Sequence, residues 1–455
     1  MTSINRRKFL RTTKQTGLAM AAGLTILSDS RSVAASPAND RVRLALIGCG
    51  GRGTNLSGEM LDHGQVEFAY VCDVDADRAG LLSKAHASRQ KTTPRPLQDF
   101  RKALDDKTVD AVVVTTPDHW HAPATVWACQ AGKDVYVEKP ATHNCWEGQK
   151  MIEAARKYKR VVQVGTQNRS AAYNRSAKDY IESGKLGKIH FCRIYDQKEW
   201  GNIFQAKDCD PPKSLHWDMW NGAAPEAHYN PTLIAAWHHL WRYSGGDIAN
   251  DSAHQIDLAR WLLGVEHPKS VFSTGGRFHT TGAAETPDTQ VATYDFDTML
   301  VTFEMTLYTP YMLKIAPQIR QSLTEYPYWP QCATRIEIYG DRGLMIVGRH
   351  GGGWQVFDRP VHEKPQVTAQ DNGRFPDPEH IANFVDCIRT RKKPNADIRE
   401  GHLSALWTHY ANISYRLGSQ KLTIDPKTEQ IVGNADAMKL FRRQYRKPWI
   451  IPDAV

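Results

Sequence analysis

Two groups of residues in this 455-residue sequence have types and spacings that could do chemistry. The first is Gly48-Cys49-Gly50-Gly51-Arg52-Gly53, a G-x-G-x-x-G hexapeptide between the apolar run Val42 to Ile47 and a helical stretch from Thr54 to His63. A second strand-like run, VEFAYVCDVD, carries Asp73 twenty residues beyond Gly53. Glycines so spaced let the backbone approach a pyrophosphate whose charge faces a helix N-terminus, and an acid at that distance accepts from ribose hydroxyls. Asp73 points to NAD over NADP, with Arg78 leaving NADP open as a 2′-phosphate ligand. The second group is Lys139, which ends the run DVYVEKP, and Asn250, His254 and Asp257, which fall at i, i+4 and i+7 in a helix expected over 245–264. A lysine ending a buried strand loses hydration, which lowers its pKa and suits it to proton transfer; the alternative is a lysine that snorkels to solvent or pairs with Glu138.

The elements that must hold these groups follow from periodicity. VDAVVVTTP (109–117) is a near-continuous β-branched run of the kind a parallel sheet buries on both faces. Helical spacing in 121–133, a strand in 134–140, a helix in 145–159 and a strand in 161–167 continue the alternation. Residues 41–170 therefore read as a doubly wound α/β domain of Rossmann type, with its ligand crevice at the strand C-termini. Those ends carry Thr116, Pro117, Asp118, His119, Glu138, Lys139 and Gln167, with His121 just beyond. From Lys188 the runs 188–196, 269–278, 290–296, 299–308, 334–340 and 343–348 succeed one another with few helices between them. This predicts an α+β domain over 171–435 with a large, open, mostly antiparallel sheet, ending in a tail at 436–455. Segments 197–235 and 308–333 show no period.

Composition excludes several classes. With 41% hydrophobic and 24% charged residues the chain is ordinary globular material, and no run is long enough for a transmembrane helix. The formal charge is +9, but Arg6, Arg7, Lys8, Arg11, Lys14 and Arg31 against Asp29 account for +5 of it. The +4 left over the rest of the chain is a solvated surface, which argues against a nucleic-acid partner. NRRKFLRTT, an apolar run from Gly17 to Leu27 and Val33-Ala34-Ala35 have the parts of a targeting peptide over 1–35. They resemble a bacterial twin-arginine signal, implying recognition by that export machinery and a periplasmic destination. Eight scattered cysteines, with no Cys-x-x-Cys pair, read as small buried hydrophobes; an oxidising compartment leaves room for one disulfide. Cys209, His216, His238 and His239 lack ligand spacing, so no metal site is expected.

The Gly loop, TTPDHWH, VYVEKP and VGTQNR together resemble the glucose-fructose oxidoreductase / inositol dehydrogenase (Gfo/Idh/MocA) family over most of the chain after the signal. The resemblance implies a nicotinamide cofactor held by Gly48, Gly50, Gly51, Arg52, Gly53, Asp73, Thr116, Pro117, His119, His121, Glu138, Lys139 and Gln167. It implies catalysis by Lys139 and His254, a cis peptide before Pro140, and dimers or tetramers formed through the open sheet. Where the family carries an aspartate four residues before the histidine, this sequence has Asn250, with Asp251 beside it. An amide orients an imidazole but does not stabilise its cation as a carboxylate would. Substrate candidates are Asn168, Arg169, Trp237, His238, Arg242, Tyr243, Asp251 and Asp257, since aromatic faces bind sugar rings while polar neighbours take hydroxyls. The implied function is hydride transfer between a tightly bound NAD and a sugar. The alternatives are a redox-neutral NAD-dependent glycosidase and a sugar-binding protein without turnover.

Overall fold

The computed structural model describes residues 41–200, 202–358 and 366–455; the expected signal peptide at 1–35 lies outside the described residues. Strands β1 (Val42–Ile47), β2 (Val66–Cys72), β3 (Arg95–Leu97), β4 (Ala111–Val114), β5 (Asp134–Val137) and β6 (Val162–Val164) form one parallel sheet in the order β3-β2-β1-β4-β5-β6. Every residue of β4 and β5 is buried, as their apolar runs require when helices cover both faces. β3 is short and largely exposed, so it carries no period by which the sequence could announce it. The helix after β1 spans Gly51–Asp62, beginning three residues before the expected Thr54, so that Gly51-Arg52-Gly53 are its first turn.

The second sheet contains β7 (Ile189–Gln197), β8 (Ser270–Gly276), β9 (Thr289–Phe296), β10 (Met299–Thr306), β11 (Arg335–Gly340), β12 (Leu344–Gly348), β13 (Trp354–Phe357), β14 (Val367–Asp371), β15 (Leu422–Ile424) and β16 (Ile431–Val432). Its order is β14-β13-β12-β11-β7-β10-β9-β8-β15-β16, with β7 and β10 parallel and the other pairs antiparallel. The fold is thus a Rossmann domain followed by a mixed, mostly antiparallel open sheet, as its strand pattern predicts. Helices Ala172–Glu182, Ala253–Leu263 and Ile398–Arg416 share a hydrophobic core with one face of this sheet. The aperiodic segments are ordered by short helices at Trp217–Asn221, Pro231–Ala235 and Pro317–Gln321 and by single pairings Glu199↔Tyr308, Ile203↔Gly282 and Leu313↔Cys332.

One expected element is broken. Instead of a single helix over 245–264 there are two, Asp247–Asn250 and Ala253–Leu263. Between them Asp251 accepts from Lys198, Lys314 and Arg349, while Ser252 Oγ donates to Asp196 at 2.6 Å. These pulls from outside the helix override its local period. All eight cysteines are free, and all but Cys209 are buried.

The later part of the chain returns to the nucleotide sheet. Helix Asp377–Thr390 lays Phe384 edge-on against Tyr136, with ring centroids 5.6 Å apart. Its His380 donates from Nε2 to Val164 O at 2.9 Å and accepts at Nδ1 from Ser170 Oγ at 2.8 Å, an assignment that fits the neutral tautomer. On the opposite face Trp449, Ile451 and Val455 are buried in one cluster with Phe100 and Trp120. Burial pushes His380 down to about 4, and His119 and His409 down to about 3. An unfolded histidine titrates near 6.5, so the unfolded state binds more protons over this interval. The stability these histidines contribute is complete above about pH 6.5 and is lost as pH falls toward their folded values. Urea unfolding should therefore show stability falling below pH 6.5, and His380→Gln should reduce that slope between pH 6 and 4 by about 1.4 kcal/mol per pH unit.

Candidate active site

A cavity of about 610 Å³ opens at the C-terminal ends of the parallel strands. Gly48, Gly50, Gly51, Arg52 and Asp73 line it, with Thr116 and Pro117 further along. Gly48 sits at φ +100°, and a Cβ at Gly53 would lie 2.0 Å from Gly48 O, so both glycines are required by the turn. A Cβ at Gly50 or Gly51 would meet nothing within 4 Å. Those two face open space, leaving a bare backbone at a helix N-terminus that no side chain caps. That arrangement suits a pyrophosphate. Asp73 Oδ2 accepts from Cys49 N at 2.7 Å and Oδ1 from Asp75 N at 2.9 Å, which fixes the carboxylate at the ribose end. Asp75 lines the same end and holds Arg78 at 3.5 Å, so two acids face the place where a 2′-phosphate would go. The residues present thus fit NAD. Pro212, Leu215, Met219, Trp220, Tyr229 and Ile234 complete the wall from the aperiodic segment.

A second cavity of about 290 Å³ adjoins the first and shares Arg52, Thr115, Thr116 and Trp237 with it. Lys139, Asn250 and His254 line it together, and the Lys139–Pro140 peptide is cis. Lys139 Nζ donates to Asn250 O at 2.9 Å and to Asn250 Oδ1 at 3.0 Å. Burial pushes the amine below the ordinary lysine value against the opposing pull of Glu138, Asp251 and Asp118. When the amine is neutral, its two N–H groups can both go to Asn250, which leaves the lone pair free for a substrate proton. Asn250 therefore partners the lysine, not the histidine. His254 is held well below its ordinary value by burial, with Arg349 and Lys139 adding to it; its Nδ1, like Thr116 Oγ1, is buried with no hydrogen-bond partner among the described residues. Orphaned polar atoms in a cavity mark where a ligand's polar groups belong. Burial also pushes Asp118 up to about 7 despite the hydrogen bond from Ser244 Oγ, placing another proton-bearing group in this cavity.

Other expected site residues are placed elsewhere. His119 is fully buried between Trp220 and Tyr243, with Nε2 on Trp220 O at 2.9 Å, and His121 spans Pro140 O and Thr116 O; both brace the wall without lining it. Arg52 lines both cavities but is committed to Glu138 at 2.7 Å and Asp377 at 3.5 Å. Burial works against the Glu138 charge, yet Arg52 and Lys139 hold that carboxyl below its usual range. Gln167 lines the smaller cavity, where its amide satisfies both Gly165 O and Arg52. Arg169 and Asp257 form a buried bidentate pair at 2.9–3.0 Å, to which Ser404 Oγ also donates, and Asn168 accepts from Asn174; none of the three lines either cavity. Tyr243 donates to Asn221, His238 packs edge-on against Trp200 and Trp237, and Arg242 lines neither cavity. Asp251 stands behind the cavity, where Arg349, Lys198 and Lys314 hold it well below the usual carboxylate range although burial opposes this. Only Trp237 of the substrate candidates lines the site. Sequence reasoning missed Arg320, Arg349, His350, Phe375 and Asp377; the run Gly351-Gly352-Gly353 after His350 was the one local signal near them.

Three family models match in succession: the "Oxidoreductase family, NAD-binding Rossmann fold" over 42–166, the "GFO/IDH/MocA C-terminal domain" over 212–346 and the "Oxidoreductase family, C-terminal alpha/beta domain" over 343–451. The chain belongs to the Gfo/Idh/MocA oxidoreductase family. Myo-inositol 2-dehydrogenase of Thermotoga maritima is 23% identical over 412 residues, covering 86% of this chain and all of that protein. Inositol 2-dehydrogenase of Salmonella typhimurium is 33% identical over 203 residues, which is 44% of this chain and 48% of that one. In fold, levoglucosan dehydrogenase solved with NADH and levoglucosan matches with a TM-score of 0.62 at 17% identity, covering 84% of this chain and 99% of that one.

For this Gfo/Idh/MocA protein the Lys139–Asn250 contact makes a testable demand. A carboxylate in place of the amide stabilises the ammonium, so Asn250→Asp should raise the Lys139 pKa by about 1–3 units. The rising limb of an alcohol-oxidation pH profile should move to higher pH by that amount. Separately, Gly53→Ala should abolish NAD binding measured by calorimetry, because its Cβ has no room beside Gly48 O.

Proposed function

We propose that this protein moves a hydride between NAD and a secondary alcohol of a sugar or cyclic polyol, with Lys139 as the proton-transfer residue. The observation that carries this is the buried Lys139 amine, held on Asn250 in a small polar cavity that opens into the dinucleotide cavity. Bound NAD supplies the hydride acceptor. In the oxidising direction the Lys139 lone pair takes the hydroxyl proton and becomes an ammonium, which Asn250 retains through both its oxygens. Neutral His254 shares a hydrogen bond with the same or a neighbouring hydroxyl, and Trp237 at the junction offers an apolar face to the ring. The relatives named for inositol and levoglucosan support polyhydroxylated rings as the substrate class.

Three further features belong to this reading. NRRKFLRTT supports export of the folded protein by the twin-arginine route to the periplasm, and NAD then has to travel tightly bound. The uncovered sheet face exposes Phe272, Val291 and Leu300 on neighbouring strands, which supports a homo-oligomer. The substrate is a carbohydrate.

Protein purified without added cofactor and then denatured should release near-stoichiometric NAD or NADH. Added sugars or inositols should change nicotinamide absorbance, and Lys139→Met should lower that rate by about 10²- to 10⁴-fold while retaining the nucleotide. Release of a sugar from a glycoside with no net absorbance change would reassign the site to redox-neutral glycoside cleavage. An empty protein that also fails to take up added NAD would overturn both.

A further inference from the structure

Three arginines, Arg52, Arg320 and Arg349, line the smaller cavity beside Lys139. Arg52 is paired with Glu138 and Asp377, Arg349 donates to Asp251 at 2.8 Å, and Lys139 rests on Asn250. Of the lining acids, Glu138 and Asp377 are committed to Arg52, and Asp118, pushed up to about 7 by burial, carries only part of a charge. Arg320 is the exception among the cations. No acid or carbonyl among the described residues accepts from its half-buried guanidinium, which lies over the Phe375 ring at 4.4 Å. Burial and the neighbouring Arg349 and Arg52 all disfavour its charge, and Asp377 and Asp251 offset them only in part.

The backbone is shaped to hold Arg320 there. Phe375 N donates to Arg320 O at 3.2 Å, which ties the ring to the arginine it supports. Gly351, at φ +87°, passes so close that a Cβ would stand 2.6 Å from Arg320 O. The glycine run after His350 thus admits the Arg320 backbone to the cavity wall. A guanidinium fixed on an aromatic face, without an anion, beside a site for sugar hydroxyls is a receptor for a planar anion.

We propose that Arg320 receives a carboxylate of the substrate, so that this protein selects acidic sugars of the hexuronate class over neutral ones. This rests on the sugar-oxidoreductase reading above and deepens it: Lys139, Asn250 and His254 handle the reacting hydroxyl, and Arg320 with Phe375 anchors the acid end of the same molecule. The cavity of about 290 Å³ is of a size for a single sugar unit.

The test is calorimetric titration of the full-length protein carrying its NAD with matched pairs, glucose and glucuronate, galactose and galacturonate, mannose and mannuronate. At least one acid should bind about ten- to a hundred-fold more tightly than its neutral partner, the range expected of a charge-assisted hydrogen-bonded pair. Arg320→Gln should bring that ratio close to one with NAD affinity unchanged, and Arg320→Lys should retain part of it. No acid preference in any pair, or a preference that survives Arg320→Gln in a variant of unaltered Tm, overturns the proposal. Loss of NAD affinity in Arg320→Gln with the sugar ratio intact would assign the arginine to a cofactor phosphate and also overturns it. Should Arg320→Gln fail to fold, the wild-type ratio and the lysine variant decide the question. An acid preference without any change in nicotinamide absorbance would sink the redox reading and keep this one; absorbance change with neutral sugars alone would do the reverse.

Discussion

The two hydrogen bonds from Lys139 Nζ to the carbonyl oxygens of Asn250 are the contact on which the rest of the site depends. An amine at the end of a parallel strand, out of water, is stable as a neutral base or as half of an ion pair. Burial favours the first state, and the two carbonyl groups of Asn250 accept from the amine without adding the full counter-charge that would favour the second. The other charges are arranged so as not to undo this. Glu138, adjacent in sequence, is occupied by Arg52, and Asp251, adjacent to Asn250, is occupied by Lys198, Lys314 and Arg349. Of the three acids that pull on the lysine, Glu138 and Asp251 are thus occupied by other bases, and Asp118, pushed up to about 7 by burial, carries only part of a charge.

That contact also ties the two halves of the chain together, because Lys139 lies just beyond the parallel strand β5 and Asn250 ends the short helix Asp247–Asn250. Its geometry survives only if the halves are fixed in register by stronger means. Helix Asp377–Thr390 supplies one, packing Phe384 and His380 on the strand that precedes Lys139. Helix Ile398–Arg416 supplies another: it packs beside Cys145–Lys157 so closely that a Cβ at Gly148 would lie 1.9 Å from His402 Nδ1. The buried Arg169–Asp257 pair locks the end of β6 to the second half at one more point. Such a pair adds little net stability, since desolvation offsets attraction, but its bidentate geometry specifies orientation.

The parts of this arrangement legible in the sequence are those whose signal is local. The glycine hexapeptide, Asp73 at its fixed distance and the buried runs of β4 and β5 are each determined by neighbours within a few residues, and Lys139 follows from ending such a run. Strand ends located His119 and His121 near the crevice but not the direction of their rings, which the turn at Asp118–Trp120 sends into the wall. Arg169 and Asp257 looked available because their partnership spans 88 positions and leaves no local trace. Asn250 and His254 were correctly joined to one cavity for a wrong reason, since the helix expected to align them is interrupted between them. Arg320, Arg349 and Phe375 come from stretches ordered only by distant contacts, and nothing periodic marks them.

The resulting site separates two kinds of base by chemistry. Lysine and histidine shed their protons when buried, because an ammonium or imidazolium loses more hydration than these surroundings restore; a guanidinium, whose intrinsic pKa is far higher, keeps its charge under the same penalty. One cavity can therefore hold Lys139 and His254, both with lowered proton affinity, next to cationic Arg52, Arg320 and Arg349. Of these bases, Lys139 and His254 are suited to proton movement and the arginines to charge recognition. Arg349 lowers the pKa of both reactive groups further by repulsion, acting on Lys139 and on His254. A substrate anion settling on the arginine side would screen that repulsion and raise the affinity of Lys139 for a proton as the substrate binds, coupling recognition at one end of the cavity to basicity at the other.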